Sequence, residues 1–200
     1  MSISKEKVAV GMSGGVDSSI AAYLLTESGY KVEGIFMKNW EEDDTDNCSS
    51  KEDFEDAMRV CKYLGIELNL VNFSDKYWTN VFESFIAELK RGFTPNPDVF
   101  CNKEIKFKQY YDYAMSLNFD LIATGHYACK INQKVPELHI PKDKIKDQTY
   151  FLYMIKQSVL KNTLFPLQDL SKDEVKEIAN DLKLGLSHKK ESMGICFIGK

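Results

Sequence analysis

Over roughly the first ninety residues, short apolar runs alternate with segments of helical period. Residues 8–10, Val-Ala-Val, suit a buried strand. The segment from about Asp17 to Ser28 follows as an amphipathic helix and stops at Gly29, the residue type that closes helices. Residues 32–37 make a second strand. Ser49 with Glu52 has the spacing of a capping box for a helix to about Tyr63, closed by Gly65. Residues 67–72 alternate like a strand, and Ser74 caps a long helix ending near Arg91. Trp78, Val81, Phe82, Phe85, Ile86 and Leu89 recur on that helix at three- and four-residue spacing and are its expected core face. Strand and helix in alternation predict a parallel sheet with helices on both faces.

The pattern changes at residues 93–102. Pro95 and Pro97 predict a stiff, non-helical loop, with Asn102 capping a helix from Lys103 to about Met115. Residues 120–127 read as a further strand ending in a glycine turn. Residues 130–148 hold eight charges and two prolines without periodicity, which predicts a mobile or partner-ordered connection. Ser171 with Glu174 opens another capped helix to about Leu184, and residues 192–199 form a glycine-flanked, strand-like run.

Composition narrows the class. The chain has 200 residues, 44% of them hydrophobic, enough for one domain with a small appendage. No apolar run reaches the roughly 18 residues of a membrane span and residues 1–7 lack a signal-peptide core, so a cytoplasmic protein without membrane contact is expected. Cys48, Cys61, Cys101, Cys129 and Cys196 form no C-x-x-C pair, so neither zinc nor an iron–sulfur centre is expected. Residues 1–92 hold 17 acidic against 10 basic side chains, and residues 93–200 hold 13 against 16. A polyanion would therefore meet the second half, around Lys103, Lys106, Lys108, Lys142, Lys144 and Lys146; lysines serving solubility alone are the alternative.

The candidate chemistry starts at Gly11-Met12-Ser13-Gly14-Gly15-Val16-Asp17-Ser18-Ser19, between the first strand and the first helix. Glycines that let the backbone approach closely, hydroxyl donors and a helix N-terminus together make an anion site. The run lacks the lysine of a Walker loop and the glycine spacing of a dinucleotide fingerprint. Glu41, Glu42, Asp43, Asp44 and Asp46 read as a solvated loop, with a metal role as the alternative. Cys101, read at a helix N-terminus beside Lys103 and Lys106, is placed for thiolate chemistry or is a small buried hydrophobe. Asp98 is an acid–base candidate or a turn former. Gly125 lets backbone approach a nucleotide, and His126 either meets phosphate or satisfies the turn.

The string S-G-G-V-D-S-S resembles the pyrophosphate loop of the ATP pyrophosphatases. That resemblance implies a Rossmann-like α/β fold of the adenine nucleotide alpha hydrolase type, a parallel sheet flanked by helices with the start of a smaller second region. Together with M-K-N-W-E-E-D-D, T-P-N-P-D-V-F-C-N-K-E-I-K-F-K, A-T-G-H-Y-A, K-D-Q-T-Y-F-L-Y and G-I-C-F-I-G, it resembles the bacterial tRNA-specific 2-thiouridylases from about Val8 to Gly199. The resemblance assigns ATP, with Mg²⁺, to Gly11, Met12, Ser13, Gly14, Gly15, Val16, Asp17, Ser18, Met37 and Gly125. It assigns the target base to Asn96, Pro97 and Asp98, and tRNA to Lys146, Asp147 and Gln148. Cys101 is then the nucleophile and Cys196 the persulfide carrier, loaded by a sulfur-relay protein or a cysteine desulfurase. The implied reaction adenylates O2 of the wobble uridine, replaces it by sulfur and leaves a transient Cys101–Cys196 disulfide. Residues 1–128 are expected to form the catalytic core and 129–200 its remainder, in a truncated chain without the family's central and C-terminal β-barrel domains. Another adenylating ATP pyrophosphatase and a non-catalytic nucleotide-binding module are the alternative functions.

Overall fold

The computed structural model describes residues 6–40, 49–186 and 189. Strand β1 (Lys7–Met12) runs into helix α1 (Val16–Glu27), followed by β2 (Lys31–Lys38), α2 (Ser49–Leu64) and β3 (Leu68–Asn72). A continuous helical run then comprises α3 (Ser74–Tyr77), π-helical turns over Trp78–Phe82 and α4 (Glu83–Lys90). A second run comprises α5 (Pro97–Phe100), π-helical turns over Cys101–Gln109 and α6 (Tyr110–Ser116). Beyond it lie β4 (Leu121–Ala123), the hairpin β5 (Cys129–Ile131) and β6 (Glu137–His139), a 3₁₀ turn over Thr149–Phe151, α7 (Gln157–Lys161), β7 (Thr163–Leu164) and α8 (Lys172–Asp181).

The main sheet has five parallel strands in the order β3-β2-β1-β4-β7. Its order reverses between β1 and β4, and in open α/β sheets the crevice at that switch point is where ligands bind. Strand β1 is apolar from Val8 to Met12 because both faces are covered. Val8, Val10 and Met12 enter one core with Ile20, Val60, Val175 and Ala179 from α1, α2 and α8, while Ala9 faces a second with Tyr77, Ile105, Tyr110 and Ile122. The Tyr110 hydroxyl, 2.7 Å from the carbonyl oxygen of Ala9 and 3.3 Å from that of Ala123, fastens the second helical run beneath these two strands.

Four expectations are corrected. The helix expected from Lys103 begins at Pro97, because Asn96 caps it by accepting the Asp98 and Val99 N–H groups and proline is well suited to a first helical turn. Asn102 lies inside the run, where its Nδ2 donates to the Asp98 carbonyl at 3.0 Å. Of the six apolar positions on the helix after Ser74 only Val81 is fully buried; Trp78 and Leu89 are exposed, and Trp78 stacks on Trp40 at 5.5 Å between ring centroids. The connection over residues 130–148 is structured by the β5–β6 hairpin, by the Lys142 N–H on the Gln168 carbonyl at 2.9 Å and by turns around Asp143.

Candidate active site

The loop between β1 and α1 closes on itself. Ser13 N–H donates to Ser18 Oγ at 3.2 Å, and the Ser18 and Ser19 hydroxyls both donate to the Gly15 carbonyl, at 3.1 and 2.8 Å. Gly14 has φ of +73°, and a Cβ there would lie 2.1 Å from the Asp53 carbonyl oxygen, so helix α2 presses against the loop. On the other side, a Cβ on Gly125 would lie 2.7 Å from Ser18 N. Both glycines are required by backbone approach. The result is a tight cradle at the helix N-terminus, whose N–H groups and dipole favour an anion.

The candidate nucleotide residues divide by role. Met37, one residue beyond the pairing of Met12 with Phe36, lays its methyl group 3.2 Å from the position a Gly11 Cβ would take. It and Gly125 thus flank the loop from the two strands that neighbour β1. Met12 and Val16 point into the core, which leaves their backbone for a ligand, whereas Ser13 is exposed. Asp17 departs furthest from a ligand role. Both of its carboxylate oxygens lie 2.7 Å from Lys172 Nζ, and the Tyr127 hydroxyl donates to Oδ1 at 3.0 Å. Lys172 is only 6% exposed, so this carboxylate is the ammonium's counter-charge.

A second ammonium reaches the loop from the far end of the described chain. Lys189 Nζ lies 2.6 Å from Asp53 Oδ1 and 3.3 Å from the Gly14 carbonyl oxygen, and it also contacts Asp56. Burial alone would lower its pKa, but the two carboxylates outweigh burial and hold it above the usual lysine value. A sequence scan finds no lysine in the loop; the fold brings Lys172 and Lys189 to it from more than 150 residues away. Tyr127, Asp53 and Asp56 were likewise beyond sequence reasoning, since no local signal ties them to the loop.

The sulfur-bearing candidate lies on the run that starts at Pro97. Cys101 is buried five residues past the Asn96 cap rather than at the helix N-terminus, and the dipole's influence is concentrated in the first turn. Its neighbouring cations are engaged: Lys103 Nζ lies 3.1 Å from Glu104 Oε1 and Lys106 Nζ lies 3.4 Å from His126 Nε2. The Lys106 contact joins the Cys101 helix to the Gly125 edge. His126, 8% exposed, also has Nδ1 2.8 Å from Thr124 Oγ1, and burial followed by the Lys106 charge depresses its pKa well below the usual value. His126 thus bridges the turn at Thr124 and the helical run at Lys106. Asp98 is half-buried, and among the described residues no group bonds its carboxylate. Asn96 uses its side-chain oxygen as the cap, and Pro97 is buried. Among the described residues the buried Asn102 Oδ1 has no hydrogen-bond partner.

Lys146, Asp147 and Gln148 stand directly behind this edge. Gln148 clasps Tyr127 in both directions, its N–H donating to the Tyr127 carbonyl at 3.0 Å and its Oε1 accepting the Tyr127 N–H at 2.9 Å. Asp147 Oδ1 accepts from the Thr149 N–H and hydroxyl at 2.9 and 2.6 Å. Cys196, Cys48 and the acidic run from Glu41 to Asp46 lie outside the described residues. Burial pushes the Cys61 thiol up to about 11, and burial followed by the nearby Asp169 raises that of Cys129; both thiols are held in the unreactive form. Among the described residues no three His, Cys, Asp or Glu side chains cluster for a metal ion, and no helix is long and apolar enough to cross a membrane.

Comparison with known proteins places the chain. It is 55% identical over 198 residues to the tRNA-specific 2-thiouridylase MnmA of Stutzerimonas stutzeri, covering 98% of this chain and 53% of the relative. It is equally similar to MnmA 1 of Geobacillus kaustophilus, covering 98% and 54%. The chain thus spans about half the length of the curated relatives it matches. Among solved structures it superposes on the U34-tRNA thiolase NcsA of Methanococcus maripaludis with TM-score 0.61 at 23% identity, covering 100% of this chain and 63% of that one. A 4-thiouridine synthetase solved with RNA and ATP gives 0.60 at 17%, covering 96% and 45%, and these two likenesses speak for the fold. The model of the tRNA methyl transferase HUP domain matches residues 6–200, and the chain belongs to that family.

Proposed function

We propose that this chain is the nucleotide-binding and catalytic part of an ATP-dependent tRNA uridine 2-sulfurtransferase. The observation that carries the reading is the joining of two sites at one sheet edge. The cradle of Ser13, Gly14 and Gly15 abuts Gly125, and the next residue, His126, contacts the helical run that bears Asp98 and Cys101. Cys101 precedes Lys106 by five residues on the same π-helical stretch. The relatives' name supports the same substrate class.

A uridine C2 oxygen is a poor leaving group. The loop N–H groups and Ser13 would hold the triphosphate while O2 attacks the α-phosphorus and pyrophosphate departs, and Met37 and Gly125 would flank the adenosine. Asp98, whose carboxylate has no bond among the described residues, handles the proton at the base. Sulfur then arrives as a persulfide on Cys196, delivered by a relay protein or a cysteine desulfurase. Either its terminal sulfur attacks C2 as AMP departs and the Cys101 thiolate then attacks Cys196 Sγ, breaking the S–S bond and freeing the thiocarbonyl, or Cys101 first attacks Cys196 Sγ and releases hydrosulfide, which displaces AMP from C2; both routes leave a Cys101–Cys196 disulfide that an external thiol reduces. Mg²⁺ would travel with the nucleotide and take its ligands mainly from phosphate, since Asp17 is engaged by Lys172 and both Asp53 and Asp56 by Lys189. The cytoplasm, where tRNA and persulfide donors meet, is the compartment this reading requires.

The test is 2-thiouridine formation by the full-length protein with ATP, tRNA and a persulfide donor. Cys196→Ser and Cys101→Ser should each abolish it while leaving ATP binding intact. Unchanged 2-thiouridine in Cys196→Ser overturns the mechanism, and full adenylating activity without tRNA in both variants assigns a small-molecule substrate instead.

A further inference from the structure

Two outward-facing tyrosines stand beside the site. Tyr150 is 59% and Tyr153 69% exposed, whereas Leu152 between them is buried in the core and anchors the segment. Three-residue hydrogen bonds run from Phe151 N–H to the Gln148 carbonyl, from Leu152 to Thr149 and from Ile155 to Leu152, at 3.0, 2.9 and 3.0 Å. Tyr150 lies in the 3₁₀ segment, its ring 4.0 Å from that of Phe151 between centroids, and Tyr153 lies three residues on, in the turn that follows. Ile145, 93% exposed, and Lys144 lie just upstream.

Asp143 commits its carboxylate to backbone N–H groups, with Oδ1 accepting those of Ile145 and Lys146 at 3.0 and 3.1 Å and Oδ2 that of Lys172 at 2.9 Å. Asp147 is likewise held by the Thr149 N–H and hydroxyl. Local hydrogen bonds thus engage both acids, while Lys144, Ile145, Tyr150 and Tyr153 are exposed. That surface is also held firmly to the site, because Gln148 clasps the Tyr127 backbone and the Tyr127 hydroxyl bonds Asp17 at the phosphate loop.

We propose that Tyr150 and Tyr153 form a stacking platform for unpaired bases of an RNA loop, with Lys144 attracting its phosphates. The inference rests on the tRNA reading above and deepens it. Aromatic faces accept any unstacked base, and a lysine beside them supplies the phosphate attraction that a purely apolar protein contact does not need. Asp147 and Gln148 are on this account the scaffold that aims the platform.

The experiment is tRNA binding by the full-length protein across a salt series. Tyr150→Ala and Tyr153→Ala should each weaken binding about tenfold with the salt slope unchanged, whereas Lys144→Ala should lower the slope of log K against log salt by about 0.7. KM for tRNA should rise with kcat retained, and ATP affinity should stay at the wild-type value. Tyr150→Trp should keep affinity and show indole quenching by tRNA beyond that of the wild type. Alanine variants that bind tRNA as the wild type does, or an indole that tRNA leaves unquenched, overturn the platform alone. A wild-type protein that neither binds nor thiolates tRNA overturns the functional reading and the platform with it.

Discussion

Lys172, the first residue of α8, places its ammonium 2.7 Å from each carboxylate oxygen of Asp17, 155 residues earlier in the chain. The pair fixes the first turn of α1 and cancels a negative charge beside a loop shaped for phosphate. Removing the ammonium alone would set Asp17 against the incoming nucleotide.

Lys172→Met should therefore weaken ATP binding at least tenfold and lower stability by about 2 kcal/mol, toward the low side of a broken buried pair because Asp17 is partly exposed. Adding Asp17→Asn should recover much of both losses. Urea midpoints and nucleotide titrations of the two single variants and the double variant measure the coupling.

Glycine substitutions should divide by contact rather than by φ alone. Gly14→Ala places a Cβ 2.1 Å from the Asp53 carbonyl and Gly125→Ala one 2.7 Å from Ser18 N, so both should abolish ATP binding. Gly92 has φ of +83° with nothing within 4 Å of its Cβ, and Gly92→Ala should cost only about 1 kcal/mol with ATP affinity unchanged. Isothermal titration with ATP separates the two outcomes.

Asn96→Ala should cost about 1 kcal/mol through loss of the helix cap and should lower kcat by re-aiming Asp98. Asn96→Asp preserves a capping oxygen and should keep wild-type stability. If that stable variant still raises KM for tRNA, Asn96 contacts the base in addition to capping the helix.

Stability should fall on acidification because of His126. Its folded pKa is depressed by burial and then by Lys106, so below the unfolded value near 6.5 the unfolded chain binds the proton and the folded chain does not. The contribution is fully present above pH 6.5 and declines by up to ~1.4 kcal/mol per pH unit as pH falls toward the depressed value. His126→Gln should show a shallower decline of urea midpoints from pH 6.5 to 5.

Local pattern was enough for the parallel sheet, the loop that ends β1 and the strand edges carrying Met37 and Gly125, because strand and helix periods and glycine punctuation act over a few residues. The capping box of Ser171 with Glu174 was equally legible, and both of its hydrogen bonds are present. The start of the Cys101 helix was misread. Pro97 suits a first turn as well as it breaks an interior, and the choice depends on Asn96 turning its oxygen onto Asp98 and Val99. Order in residues 130–148 comes in part from bonds to Gln168 and Tyr127, which no local propensity records. The charges around the phosphate loop lie furthest from sequence reasoning. Lys172 and Lys189 reach Asp17 and Gly14 only after α8 packs on α1, because an ion pair depends on distance in space and is blind to separation along the chain.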